Sequence, residues 1–198
     1  MSVVSLNIRS LFKHQRDLLA DYKVLQKDVI CLQETWLHLE QEKNYCLAEH
    51  TSNFASVGKG KGLATFSKAQ VEGNVSLVDI NTTFQLMTTQ IKGISIISVY
   101  VSSNSLNLDS VVEFISQSQT EKCIIMGDFN FTPNTSNAIT KQLQARNFVQ
   151  LIKSPTHKDG NILDHVYVSE ALSDSVSTDL HYTNYSDHQG LFVNIIDQ

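Results

Sequence analysis

Asp128 and Asn130 stand two residues apart in the stretch CIIMGDFNFTP, at the point where an apolar run gives way to a turn. A carboxylate and an amide at that spacing can face one pocket, where they would orient and deprotonate a water molecule. The same pair is also ordinary turn chemistry, since Asp and Asn readily bond their own backbone. Other residues of this kind occupy matching places. Asn7 ends the apolar run of SVVSLNIRS, Glu34 follows the run in DVICLQETWL, and Tyr100 lies near the end of ISIISVYV. Asp164 falls in GNILDHVYV, and Ser186, Asp187 and His188 immediately precede GLFVNII. Taken singly, each has a plain structural explanation: a buried amide, a carboxylate at a helix start, a core tyrosine, an ion pair. Together they place carboxylates, amides, a phenol and an imidazole at strand ends, where a rigid scaffold fixes the geometry of reactive groups.

The elements that must hold these residues are legible as eight short apolar runs: SVVSLNI, DVICLQ, GLATF, TFQLMTTQI, GISIISVYV, KCIIMGD, ILDHVYVS and GLFVNII. Between some of them the apolar period is helical. In RDLLADYKVLQKD, residues Leu18, Leu19, Tyr22 and Leu25 share a face, and Leu108, Val111, Val112 and Ile115 do so in SLNLDSVVEFISQSQ, with Asn107 or Asp109 as cap. NTSNAITKQLQARN is a weaker third helix entered from Pro133. Alternating strands and helices imply α/β layering, and the consecutive strands over 62–101 imply antiparallel pairing. The 198 residues, 41% apolar and 18% charged, suit one domain, 1–198, with a substantial core.

No apolar run approaches the roughly 18 residues that span a bilayer, and MSVVSLNIRS does not read as a signal peptide. Three widely spaced cysteines, Cys31, Cys46 and Cys123, suit a reduced, intracellular chain, and no paired spacing suggests a zinc site. The net charge of −5 argues against strong non-specific binding to nucleic acid, although carboxylates gathered on a cation would raise the acidic count by themselves.

The motifs LQETW, GDFN, SPTHKDGNILDHVYVS and YSDHQGLFV, with GKGLATF as a glycine-rich strand, occur in the order found in one known superfamily. The chain resembles the endonuclease/exonuclease/phosphatase superfamily from about residue 3 to 195. Within it, the sequence is most similar to the apurinic-type endonuclease domains of LINE-type (non-LTR) retrotransposons and related mobile elements. The resemblance implies a DNase I-like sandwich of two mixed sheets flanked by helices. It also implies Mg²⁺-dependent hydrolysis of a DNA phosphodiester, with Mn²⁺ as an alternative ion, leaving a 3′-hydroxyl and a 5′-phosphate.

Carried residue by residue, the resemblance makes Glu34 and Asp187 metal carboxylates, with Asn7 as an amide ligand or partner. Asp128 orients and deprotonates water beside Asn130, and His188 contacts the scissile phosphate while Asp164 holds its other ring nitrogen. Tyr100 donates to the phosphate, and Thr156 and Ser186 supply supporting hydroxyls. Arg9 stands where repair-type relatives carry a second acidic residue, which weakens any two-metal scheme, and it becomes a phosphate contact instead. Ser103, with Asn104 one position on, replaces an Asn of those relatives. The chain is short for the superfamily, so abasic-site preference is expected to be weak. Lys59 and Lys61 of GKGKG, with Lys153 and Lys158, are candidate DNA contacts.

The implied partner is double-stranded DNA, with fusion to a reverse transcriptase in a longer protein as a further expectation. Nuclear localisation follows from that substrate alone. Two other readings stand beside the endonuclease: a phosphatase or phosphodiesterase acting on a non-DNA phosphate ester, and an inactive nucleic-acid-binding module.

Overall fold

All eight apolar runs become strands. The computed structural model describes residues 1–71, 73–80, 83–102, 109–133 and 138–196. Its first half comprises β1 (Ser2–Asn7), α1 (Leu11–Ala20), α2 (Tyr22–Leu25), β2 (Val29–Gln33), β3 (His50–Ala55), β4 (Leu63–Lys68), β5 (Asn74–Ile80), β6 (Phe84–Ile91) and β7 (Ile94–Val101). The second half comprises α3 (Asp109–Ser118), β8 (Lys122–Asp128), α4 (Ala138–Ala145), β9 (Phe148–Gln150), β10 (Asp164–Ser169), β11 (Val176–His181) and β12 (Gly190–Ile195).

Two six-stranded mixed sheets result, ordered β11-β12-β1-β2-β4-β3 and β5-β6-β7-β8-β10-β9. Each has one parallel pair at its centre, β1–β2 and β7–β8, flanked by antiparallel neighbours. The parallel pairs follow from the sequence: α1 and α2 return the chain from β1 to β2, and α3 returns it from β7 to β8. The strands of 62–101 do not form one meander. β4 pairs with β2 and β3 in the first sheet, whereas β5, β6 and β7 pair in the second.

Alternation along the central strands sends apolar side chains to both faces, so apolar layers form between the sheets and on the outer face of each. Val3, Cys31, Ile96, Met126, Val166 and Val193 fill the layer between the sheets. The outer face of the first sheet packs Leu6, Ile30 and Phe66 against Leu11, Leu18 and Val24 of the helices. That of the second packs Ile97, Ile125 and Tyr167 against Val112, Ile115, Ile139 and Leu143. This is the DNase I-like sandwich. Cys31 and Cys123 are buried, which pushes each thiol up to about 12 and leaves it inert. Among the described residues, no helix is long and apolar enough to cross a membrane.

The helix expected over 16–28 is two. α1 begins earlier, with the Ser10 hydroxyl accepting from the Lys13 N–H, and the chain breaks at Asp21, whose carboxylate caps α2 by accepting from the Val24 N–H. Asp21 is held there by His181 and Tyr185, which outweighs the helical period of the flanking leucines. Asp109 opens α3, while Asn107, Ser103 and Asn104 lie outside the described residues.

Gly127, the glycine of GDFN, sits inside β8 at φ +144°. A Cβ there would collide with the carbonyl oxygen of Val99 on the adjacent parallel strand. Its absence lets β7 and β8 approach closely one residue before Asp128. Gly127→Ala is therefore expected to destabilise the fold by roughly 3–5 kcal/mol, read as a lower urea midpoint. An unchanged midpoint would show that the strands can part at no cost.

Candidate active site

The carboxyl ends of β1, β2, β7 and β8 and the starts of β10 and β12 meet at one end of the two sheets. Asn7, at the end of β1, links them. Its side-chain amide donates to Glu34 Oε1 at 2.9 Å and to Asp128 Oδ2 at 2.8 Å, joining the first sheet to the second. Its side-chain carbonyl oxygen accepts from the Arg9 N–H. Glu34 Oε2 accepts from the Trp36 indole N–H at 3.0 Å, and the Tyr100 hydroxyl is a further donor to this carboxylate, whose two oxygens offer about four lone pairs in all. The backbone around these residues is unusual. Arg9, Ser10, Glu34, Trp36 and Asn130 all have φ between 49° and 99°. Left-handed non-glycine residues concentrated at one place mark strain that the surrounding fold must hold.

Asp128 is buried opposite both Tyr100 and Asp164 in the strand register. Its Oδ1 accepts from the Asn130 backbone N–H at 2.9 Å, and its Oδ2 accepts from the Asn130 amide at 3.2 Å as well as from Asn7. The Asn130 amide also donates to the Val101 carbonyl, which ties the turn to β7. Burial, and then the negative charge of Asp164, push the Asp128 carboxyl up to about 7, against the pull of His188 and the N–H donors. A carboxyl poised there gives and takes protons at neutral pH. The Tyr100 phenol is held well above its ordinary value by burial and by the charges of Glu34 and Asp128, so it remains a donor.

His188 Nδ1 donates to Asp164 Oδ2 at 2.8 Å, and both side chains are buried. Asp164 Oδ2 also accepts from the Thr156 hydroxyl at 2.7 Å, while that hydroxyl accepts from the backbone N–H groups of Leu163 and Asp164. Ser186 accepts from the His188 N–H and donates to the Asn7 backbone carbonyl, fastening the SDH segment to β1. Burial alone would lower the imidazole pKa. The hydrogen bond and charge of Asp164, with the charges of Asp128 and Asp187, raise it to about 9, so the ring is a cation at neutral pH.

Asp187 gathers cations. Its Oδ2 lies 2.6 Å from Arg9 Nη1, 3.5 Å from His157 Nε2 and 3.6 Å from Lys158 Nζ. Its Oδ1 is buried and has no hydrogen-bond partner. Burial opposes ionisation, yet Arg9, His188 and His157 together hold this carboxyl below its ordinary value. Arg9 thus puts a guanidinium directly on the Asp187 carboxylate.

Every expected catalytic and metal residue lies in this one cluster, but the lysines divide. Lys158 joins it. The GKGKG turn is fastened beside it, since Thr35 and Trp36 donate their N–H groups to the Gly62 and Lys61 carbonyls, and Lys59 is exposed at its tip. Lys153 is elsewhere: its ammonium donates to Gln150, beside a surface depression lined by Thr178 and Asp179. Two residues escaped the sequence reading. Trp36 stands in LQETW two positions from a carboxylate, and His157 stands in SPTHKDG between Thr156 and Lys158.

Among the described residues, two groups bring three possible metal-ligand atoms within 4.8 Å of one another: His157, Asp187 and His188, and Asp128, Asp164 and His188. Glu34 belongs to neither.

A family model, Endonuclease/Exonuclease/phosphatase family, matches residues 4–188. No curated protein matches the sequence significantly. Among solved structures, the 3′ phosphatase NExo from Neisseria bound to a product DNA hairpin matches at TM-score 0.80 and 16% identity, covering 100% of both chains. An AP endonuclease from Archaeoglobus fulgidus matches at 0.81 and 17%, covering 98% of this chain and 99% of that one. The endonuclease domain of TRAS1, a telomere-specific non-LTR retrotransposon, matches at 0.71 and 14%, covering 98% and 97%.

Proposed function

From the membership of this chain in the endonuclease/exonuclease/phosphatase family, whose members hydrolyse phosphate esters, we propose that it is a metal-dependent DNA endonuclease. In this reading it nicks one strand, leaving a 3′-hydroxyl and a 5′-phosphate, as the nuclease of a non-LTR mobile element that primes reverse transcription. The observation that carries the reading is the continuous hydrogen-bonded chain from Glu34 through Asn7 to Asp128, beside the Asp164–His188 pair. The similarity to the TRAS1 endonuclease domain supports the mobile-element assignment.

The residues fit a hard divalent cation. Glu34 keeps accepting capacity beyond its donors Asn7, Trp36 and Tyr100, and Asp187 Oδ1 is a buried oxygen without a donor, both of which suit Mg²⁺. Glu34 and Asp187 would hold it, with Asn7 as the partner that orients Glu34. Bound there, the ion would neutralise charge on the phosphate and its leaving oxygen. Asp128 accepts the proton of the attacking water, and Asn130 fixes the carboxylate for that transfer. His188, as the imidazolium, and the Tyr100 hydroxyl donate to phosphate oxygens as charge develops. Arg9, Lys158 and Lys59 contribute positive charge along the DNA backbone, and Lys61 lies in the same turn as Lys59.

The test is conversion of supercoiled plasmid to open circle with Mg²⁺, with and without chelator. The likeness to a 3′ phosphatase favours a second reading, removal of phosphate from a DNA 3′ end. Release of inorganic phosphate from a 3′-phosphorylated duplex, with no open circle, would select it. Trp36→Phe keeps an aromatic ring but removes the donor to Glu34. It is expected to raise the Mg²⁺ concentration for half-maximal nicking roughly 10-fold, with little change at saturating Mg²⁺.

A further inference from the structure

His157 and His188 face one another across a β-bridge. Their backbones are fastened on both sides, by the Lys158 N–H to the Asp187 carbonyl and the Gln189 N–H to the Thr156 carbonyl. The rings meet edge to face, with centroids 4.8 Å apart. Each ring has a carboxylate on its Nδ1 side: Asp164 at 2.8 Å from His188, and Asp159 at 3.4 Å from His157. Each therefore turns Nε2 toward Asp187, at 3.5 Å from Oδ2 for His157 and 4.0 Å from Oδ1 for His188.

We propose that His157, Asp187 and His188 form a binding site for a borderline transition-metal ion of the Zn²⁺ class, whose occupation withdraws His188 and Asp187 from the reaction. Two imidazole nitrogens and one carboxylate oxygen are a Zn²⁺ donor set with an open fourth position, whereas Mg²⁺ prefers oxygen alone. Asp164 supplies His188 with the outer hydrogen bond that zinc-bound histidines require and keeps a proton on Nδ1, while His157 Nδ1 accepts from the Asp159 backbone N–H at 3.3 Å. Binding therefore displaces the Nε2 proton of His188 and moves that of His157 to Nδ1, where the Asp159 carboxylate can take it. Asp187 Oδ1, buried and without a hydrogen-bond partner, is the oxygen available to it, because Arg9 and Lys158 engage the other. One possible ligand atom from each of the three residues already lies within 4.8 Å of the other two, and side-chain rotations complete the closure.

Binding itself does not depend on the endonuclease reading; inhibition of nicking does. The metal-free 198-residue chain is titrated with Co²⁺, followed by visible absorption, and with Zn²⁺ by calorimetry in excess Mg²⁺. One equivalent of each is expected, with the intense bands of low-coordinate Co²⁺, and His157→Ala should weaken Zn²⁺ at least ~10-fold. Ring resonances of wild-type His157 and His188 should shift together on adding Zn²⁺, while those of His181, paired with Asp21, stay put. This arm needs no variant. The proposal is overturned if wild type binds neither ion, if His157→Ala binds Zn²⁺ as well as wild type does, or if the His157 ring does not respond. In nicking assays, Zn²⁺ should inhibit wild type and lose potency against His157→Ala. A chain that binds Zn²⁺ through His157 yet nicks nothing would sustain the site and overturn the endonuclease reading.

Discussion

Asp128→Asn is expected to slow single-turnover nicking by roughly 10²–10⁴-fold, the range of general-base catalysis, with DNA retained in a gel-shift assay. Asn is close in shape but cannot accept a proton at neutral pH. The carboxylate it replaces is prepared to do so. Burial and Asp164 push it up to about 7, while three N–H donors from Asn7 and Asn130 fix both oxygens. Those donors also complicate the variant. An Asn side chain must turn its NH₂ toward one of them, leaving a donor unpaired at a cost of about 1–3 kcal/mol. A thermal melt must therefore accompany the rate, so that lost activity is measured on folded protein. Nicking at the wild-type rate would reduce GDFN to a turn and send the search for a base to other residues.

That GDFN could be read as a site at all depended on its position. Central strands announce themselves because both faces are buried: β8 offers Cys123, Ile124, Ile125 and Met126 without a polar break, and the reactive residues follow at its end. The four strands without an apolar run, β3, β5, β9 and β11, are the four edges of the two sheets. An edge strand has one neighbour and little apolar demand, so β3 (HTSNFA) and β11 (VSTDLH) look like loops. The site was legible where a strand end and a motif coincide, as for Glu34, Asp128 and His188. His157 was not, because its meaning arises only when the loop before β10 is laid against the segment before β12. Arg9 was visible as a substitution, but its ion pair with Asp187 spans 178 positions of sequence. Lys153 shows the converse: β9 runs antiparallel to β10 toward the site, yet the Lys153 ammonium folds back onto Gln150 instead of reaching it.

His188→Ala should cost roughly 10²–10³-fold in kcat by removing a charged donor to the phosphate, and the pH profile separates its role from that of Asp128. If nicking needs ionised Asp128 and protonated His188, the rate rises as pH passes about 7 and falls as it passes about 9. Asp164 lifts both groups, the first by like charge and the second by hydrogen bond and opposite charge. Asp164→Asn should therefore move both limbs of the profile to lower pH, which a merely structural role for Asp164 would not do. Stability provides an independent check of sign. His188 is raised from 6.5 to about 9 on folding, so its stabilising contribution is complete below 6.5 and is lost as pH climbs through about 9. His188→Ala should flatten that part of the Tm–pH curve. An alkaline limb left in place by Asp164→Asn would mean that a group other than His188 titrates there, and the phosphate contact would have to be reassigned to Tyr100 or Arg9.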